Sequence, residues 1–245
     1  MAMKGLILRE FWLSKKSMLM TFGIGIIFFT LGLLIMLSGK YGNLARYSDP
    51  EDLKAVMDNI PRYIPVMTFL LFFVGGGDAV TSTILSDHQC GWHKFIKSGG
   101  LRIRTYVGSK YLSLLIMLLV SVLAVLVIQP LFFLAGGHID PFSIAVIAAF
   151  TAYMLLYFIY MIPLEFYVKK RETATIFSLL PMLAILILGM VAAFKFSADP
   201  GLGDRLITSL TSGSMNKWAY IGLAAVLPLM YISYELSVRI VSREG

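Results

Sequence analysis

The chain has 245 residues, of which 58% are hydrophobic and 14% charged. That leaves too little polar surface to coat a soluble domain of this size, so a water-soluble fold is excluded. The formal net charge of +7 does not call for nucleic acid, because membrane proteins gather Lys and Arg through topology and attraction to anionic lipid.

The first sixteen residues carry Lys4, Arg9, Lys15 and Lys16 among the apolar Leu6, Ile7, Phe11 and Leu13. This charge pattern favours an amphipathic helix lying in the membrane interface over a plain extension of the first span. The apolar run behind it is too long for a signal peptide and lacks a small-residue cleavage pattern, so it reads as a retained span.

Six apolar runs then follow: Leu19–Leu37, Ile64–Leu85, Tyr111–Leu134, Ser143–Tyr167, Ile176–Phe196 and Trp218–Val238. Each approaches the roughly 20 residues that a helix needs to cross hydrocarbon. Period-two alternation is absent, so a β-barrel is not expected, and backbone groups in lipid must then be satisfied within helices. The expected fold is a single all-α transmembrane domain over residues 1–245. It has six transmembrane helices, the interfacial helix and a short cytoplasmic helix in the loop at about 86–110.

Between the first two runs, Asp49-Pro50 opens a stretch with Leu53, Val56, Met57 and Ile60 on one helical face. It predicts a short helix flat on the outer surface. Within the second run, Gly75-Gly76-Gly77 precedes Asp78. Three glycines admit a close helix neighbour, and an acid at membrane depth marks either a cavity or a packing patch with a paired carboxylate. Asp140-Pro141 reads as the capped start of the fourth run, and Pro130, Pro163, Pro181 and Pro228 as kinks in or near spans. Glu165 and Glu235 each stand four residues before a base, Lys169 and Arg239, which predicts local ion pairs.

Most Lys and Arg fall before the first run, in the second and fourth loops, and after the sixth run. Those of the first loop are offset by Asp49, Glu51, Asp52 and Asp58. The positive-inside rule therefore predicts a multi-pass protein of the cell membrane with both termini cytoplasmic.

The second loop holds the stretch Asp87–Leu112, the longest polar and basic segment of the chain. Ser86 or Asp87 can cap a short helix, with Trp92, Phe95 and Ile96 expected on one face and Lys94 and Lys97 elsewhere. Gly99-Gly100 should end it, and a new helix should start near Leu101. The aromatic knob either anchors the loop at the headgroups or plugs into a cytoplasmic partner.

Catalysis is poorly supplied. No phosphate-cradling glycine loop, metalloprotease motif or nucleophile elbow occurs, and no span contains a histidine. His88, Cys90 and His93 point in different directions on a helix and lack a fourth ligand, so no metal site is expected. A lone cysteine makes no intrachain disulfide.

The loop resembles the first cytoplasmic loop of type-2 ABC exporter permeases. Gly91-Trp92, Ser98, Val107 and Ser109-Lys110-Tyr111-Leu112 match that pattern, while Gly100 stands where the family usually has proline and Ile103 where it often has arginine. The resemblance implies a coupling helix, with Trp92, Phe95, Ile96 and Lys97 seated in a groove of a separate ATP-binding subunit. It also implies a second permease copy, surrounding lipid, and no cofactor on this chain, ATP and Mg being held by the partner ATPase. Small permeases of this look include exporters of amphipathic peptides, which gives a hydrophobic or amphipathic cargo as the expectation. The alternative is a stand-alone secondary transporter or channel with Asp78 in its path.

Overall fold

The computed structural model describes residues 2–42, 50–134, 141–168 and 214–243, with scattered helical positions between 173 and 183. Among the described residues all regular structure is helical: α1 (Ala2–Tyr41), α2 (Pro50–Gln89), α3 (Trp92–Ser98), α4 (Ile103–Leu134), α5 (Pro141–Tyr167) and α6 (Ser214–Arg243). Five of these contain stretches long and apolar enough to cross a membrane: Met3–Tyr41, Tyr63–Gln89, Ile103–Leu131, Ile147–Tyr167 and Ala224–Arg243. The expected span at 176–196, and the loop after it, lie almost wholly outside the described residues.

Two elements differ from the sequence expectation. The lead-in is not a separate interfacial helix, because α1 runs without a break through 40 residues. A helix of that length is about 60 Å long, twice the hydrocarbon thickness of about 30 Å, so one end must protrude from the membrane. No proline interrupts the segment, which leaves no reason for the helix to turn. The outer-surface helix is likewise the first part of α2, which starts at Pro50 and continues through Pro61 and Pro65 into the span. Its start at Pro50 and that of α5 at Pro141 agree with proline at the first helical turn. Pro130, Pro163 and Pro228 sit inside α4, α5 and α6 without ending them.

The chain divides into two compact units. One comprises Ile7–Val80 and Lys110–Phe150. Its core joins α1, α2 and α4: Met18, Ala79, Val80 and Met117 are buried together, with Phe11 and Phe22 against them. Further along, Met36 and Ile128 pack with Phe29, Leu33, Ile60 and Ile64. Close approach of α1 and α2 depends on glycine. A Cβ at Gly25 would strike the Phe72 ring, one at Gly32 the Ile64 side chain, and one at Gly75 the Thr21 side chain. Membrane helices, which gain little hydrophobic energy from leaving lipid, pair through such close contacts.

The other unit comprises Met1–Leu6, Thr81–Ser109 and Thr151–Gly245. Within it, the Ser233 hydroxyl on α6 donates to the Ile159 carbonyl on α5 at 2.6 Å. Phe158, Ile162 and Phe166 are buried along α5, and the Phe166 ring meets Tyr106 of α4 edge to face at 6.0 Å. This unit holds the basic loop.

Candidate functional site

The loop between α2 and α4 is folded around two left-handed glycines. Helix α2 continues to Gln89, so Ser86 and Asp87 belong to its last turn and do not cap α3 as the sequence suggested. The Ser86 hydroxyl instead donates back to the Ser82 carbonyl. The turn into α3 is made by Gly91, with φ 66°, a conformation that glycine alone adopts freely. Helix α3 then occupies seven residues. It ends as expected at the double glycine: Gly99 donates to the Phe95 carbonyl at 2.8 Å, Gly100 has φ 70°, and Leu101 donates to the Ile96 carbonyl at 3.2 Å. The bond from Gly99 is the last ordinary helical one, and the left-handed Gly100 followed by the six-to-one bond from Leu101 is the mark of a Schellman-type termination. A glycine thus performs the helix-breaking role at the position where the resembling permeases usually carry proline.

On α3 the apolar residues divide between root and tip. Ile96 is 1% exposed and forms the root, whereas Phe95 is 56% exposed. Adjacent helical residues lie about 100° apart, so Phe95 and Ile96 cannot both face inward. The three residues expected on one face therefore separate. Trp92 is half-buried and its ring stacks on Phe95, with centroids 4.9 Å apart and planes 25° apart. Stacking fixes both rings and gives a rigid apolar tip. Lys94 is exposed beside it, while the Lys97 and His93 side chains lie outside the described structure. Cys90 is exposed.

The neck of the loop is held by a buried bond that sequence reasoning did not foresee. Tyr106, in the first turn of α4, donates its hydroxyl to Asp87 Oδ2 at 2.7 Å. Asp87 is 1% exposed and Tyr106 fully buried. A charged acceptor in such a setting makes a strong hydrogen bond, and its loss leaves a desolvated carboxylate. Asp87 and Tyr106 flank α3 in sequence, so the bond closes the loop at its base. Beside it, the Tyr234 hydroxyl of α6 donates to the Arg104 carbonyl at 3.2 Å. Glu235 was expected to pair with Arg239. Its Oε2 lies 3.5 Å from the Arg104 guanidinium on α4, a long-range contact that sequence spacing does not reveal. Glu165 is buried, and its expected partner Lys169 lies outside the described residues.

In the other unit, a second polar contact fastens α4 to α1. Lys110 Nζ lies 2.6 Å from Glu10 Oε2, with both side chains fully buried. Arg9 approaches the other carboxylate oxygen at 3.0 Å. Glu10 is the one acid in the first 48 residues, set among four bases, which was the available signal that it had a specific partner. Lys110 belongs to the Ser-Lys-Tyr-Leu element of the permease resemblance. The glycine triplet is in this unit as well: Gly75 faces Thr21, a Cβ on Gly76 would meet Met117, and Asp78 is exposed.

The sequence pattern of ABC-2 family transporter proteins matches residues 55–242. The match takes in the loop, its neck, the glycine triplet and all of the chain from α4 through nearly the end of α6. No curated protein and no solved structure matches the chain.

Proposed function

The chain belongs to the ABC-2 family of transporter proteins, and from that premise we propose that it is the membrane-spanning permease subunit of an ATP-driven exporter, with α3 as its coupling helix. The observation that carries this reading is the form of α3. A short helix with a stacked Trp92–Phe95 tip stands on a buried Ile96 root, between left-handed glycines, over a neck closed by Tyr106 and Asp87. A rigid knob on a closed neck transmits force, whereas a loop meant only to lie on headgroups has no need of one.

The motor is a separate ATP-binding subunit carrying ATP and Mg. Its closure moves α3, and α3 moves the ends of α2 and α4 to which it is joined. Trp92 and Phe95 supply the contact with the motor, Ile96 anchors the knob, and Lys97 belongs to the same contact by the family resemblance. A second permease copy completes the path, with both termini on the motor's side. The cargo is hydrophobic or amphipathic, a peptide being the expected class, because large apolar side chains make up much of the exposed faces of the spans. Gly75, Gly76 and Gly77 allow α2 to shift against α1 and α4, and Asp78 is the residue whose role in a cargo path is to be tested.

The experiment is co-purification of the chain in mild detergent with the product of an adjacent ATPase gene, followed by transport in liposomes. The reading requires a stable complex and ATP-dependent movement of cargo. Extraction of this chain alone, with ion- or proton-driven transport that ignores ATP, would replace it with a stand-alone secondary transporter.

A further inference from the structure

Beside the neck of the loop lie two hollows that share a wall. One, of about 480 Å³, is polar and is lined by Arg104, Arg239, Glu235 and Tyr231. The other, of about 380 Å³, is an apolar groove between α5 and α6, reaching from Ile159 and Leu229 to Tyr167 and Ile240. Ile232 and Leu236 line both hollows and form a low ridge between them. All these residues belong to one compact unit.

The two hollows differ in chemistry. The groove is apolar between its tyrosines, Tyr160 and Tyr167, and the Ser233 hydroxyl in its floor is already engaged with the Ile159 carbonyl. Its occupant must be hydrocarbon. In the polar hollow two guanidinium groups face one carboxylate. Glu235 meets a single nitrogen of Arg104 at 3.5 Å, and the Arg104 side chain is 69% exposed. A guanidinium has five N–H donors, so most of them remain directed outward. Arg239 is exposed on the same side. Two arginine forks with a surplus positive charge suit a phosphate oxyanion. Tyr231 and Tyr167, 65% and 71% exposed at the margins, are residues that favour the headgroup level.

Order along the helices sets the direction of the ligand. Arg239 is near the end of α6, and Leu229 lies about 15 Å before it along the helix axis. An anionic head at Arg239 therefore leaves a tail running back along α6, into the span. We infer that the two hollows form one binding site for an anionic phospholipid, with its phosphate between Arg104 and Arg239 and one acyl chain in the groove between α5 and α6. Neither hollow is large enough for a whole lipid, so the second chain remains in the bilayer. The site stands beside the neck of the loop, where Tyr234 bonds to the Arg104 backbone. Its occupancy would stiffen that neck whether or not α3 meets an ATPase.

The test uses the full chain in detergent, titrated with short-chain phosphatidylglycerol or phosphatidylcholine and read by native mass spectrometry. Phosphatidylglycerol should bind at least tenfold more tightly, and Arg239→Gln should reduce that preference several-fold, in keeping with the modest contribution of a single base near a lipid surface. Arg239 is exposed, so its replacement leaves the fold intact. Leu164→Trp, which fills the groove, should weaken both lipids. Equal binding of the two lipids, or full retention of phosphatidylglycerol by Arg239→Gln, would overturn the proposal. Displacement by millimolar inorganic phosphate would assign the arginines to a free anion instead. Loss of ATPase binding in Arg239→Gln with lipid binding unchanged would make them a protein contact, and would likewise refute it.

Discussion

The buried cluster of Arg9, Glu10 and Lys110 allows a prediction with unequal arms. Lys110 and Glu10 are both fully buried and 2.6 Å apart, while Arg9 keeps a quarter of its side-chain exposure and sits 3.0 Å from the same carboxylate. In these two contacts one carboxylate serves two cations. Removing one member of a buried ion pair costs roughly 3–5 kcal/mol, because the remaining charge has lost both water and partner. Glu10→Gln takes the negative charge away from both cations at once and should carry about that full cost. Lys110→Met leaves the carboxylate with Arg9, which can draw on solvent, so its cost should be smaller, about 1–3 kcal/mol by comparison with a lost charged hydrogen bond. Replacing both members with neutral groups of similar volume is often close to neutral. The double variant should therefore be more stable than Glu10→Gln alone, with a coupling energy of about 2 kcal/mol or more in the cycle. Reversible unfolding of the purified chain in mixed micelles, followed by far-ultraviolet circular dichroism, measures all four corners. Equal single losses under about 1 kcal/mol that simply add would show that the two groups are solvated, and the fastening of α1 to α4 would have to be withdrawn.

The remaining predictions concern the loop and the helix contacts. Phe95→Ala should leave stability within about 0.5 kcal/mol, as expected for an exposed site, yet weaken co-purification with the ATPase; Ile96→Ala should destabilise by about 2–5 kcal/mol. A loss of stability in Phe95→Ala, seen by thermal unfolding, would mean that its ring is packed and not presented. Tyr106→Phe removes the donor to Asp87 and should cost about 1.5–3 kcal/mol, with faster amide exchange across 90–101 as its local signature. Unchanged exchange there would show that the bond does not hold the neck. Gly75→Ala meets the Thr21 side chain and should lose about 1–3 kcal/mol to overpacking, whereas Gly23→Ala meets nothing within 4 Å and should be tolerated; equal outcomes in a stability assay would deny the close α1–α2 approach.

Legibility in the sequence followed the range of the interaction. The spans were readable because lipid imposes a length and an apolar composition on any crossing segment, and α2, α4, α5 and α6 contain their expected runs. Local stereochemistry was readable too, as at Pro50, Pro141 and the left-handed Gly100. Continuity was not. The amphipathic pattern before the first span and the one after Pro50 each resemble a separate surface helix, but periodicity says which face is apolar and nothing about whether the helix stops. A stop needs a chemical cause, and neither junction contains one that the structure uses.

The polar contacts of the loop were illegible for a different reason. Local rules pair Glu235 with Arg239 four residues away, yet the carboxylate reaches Arg104, 131 positions distant. Ser86 and Asp87 look like caps because short polar side chains before an apolar run usually are, but a cap requires a helix to have ended, and α2 had not. Freed from capping, Asp87 is carried inward and must find a donor there, since a buried carboxylate without one is expensive. Tyr106 is that donor, and Lys110 answers Glu10 under the same requirement. Each of these acids stood in a place where the bland reading was available: Glu10 as a surface charge among bases, Asp87 as a cap. In a chain so poor in charge, an acid placed among apolar residues is better read as one half of a contact whose other half must be sought far along the sequence. Applied to Asp78, the same rule reads it first as one half of a contact, before any role in conduction is assigned.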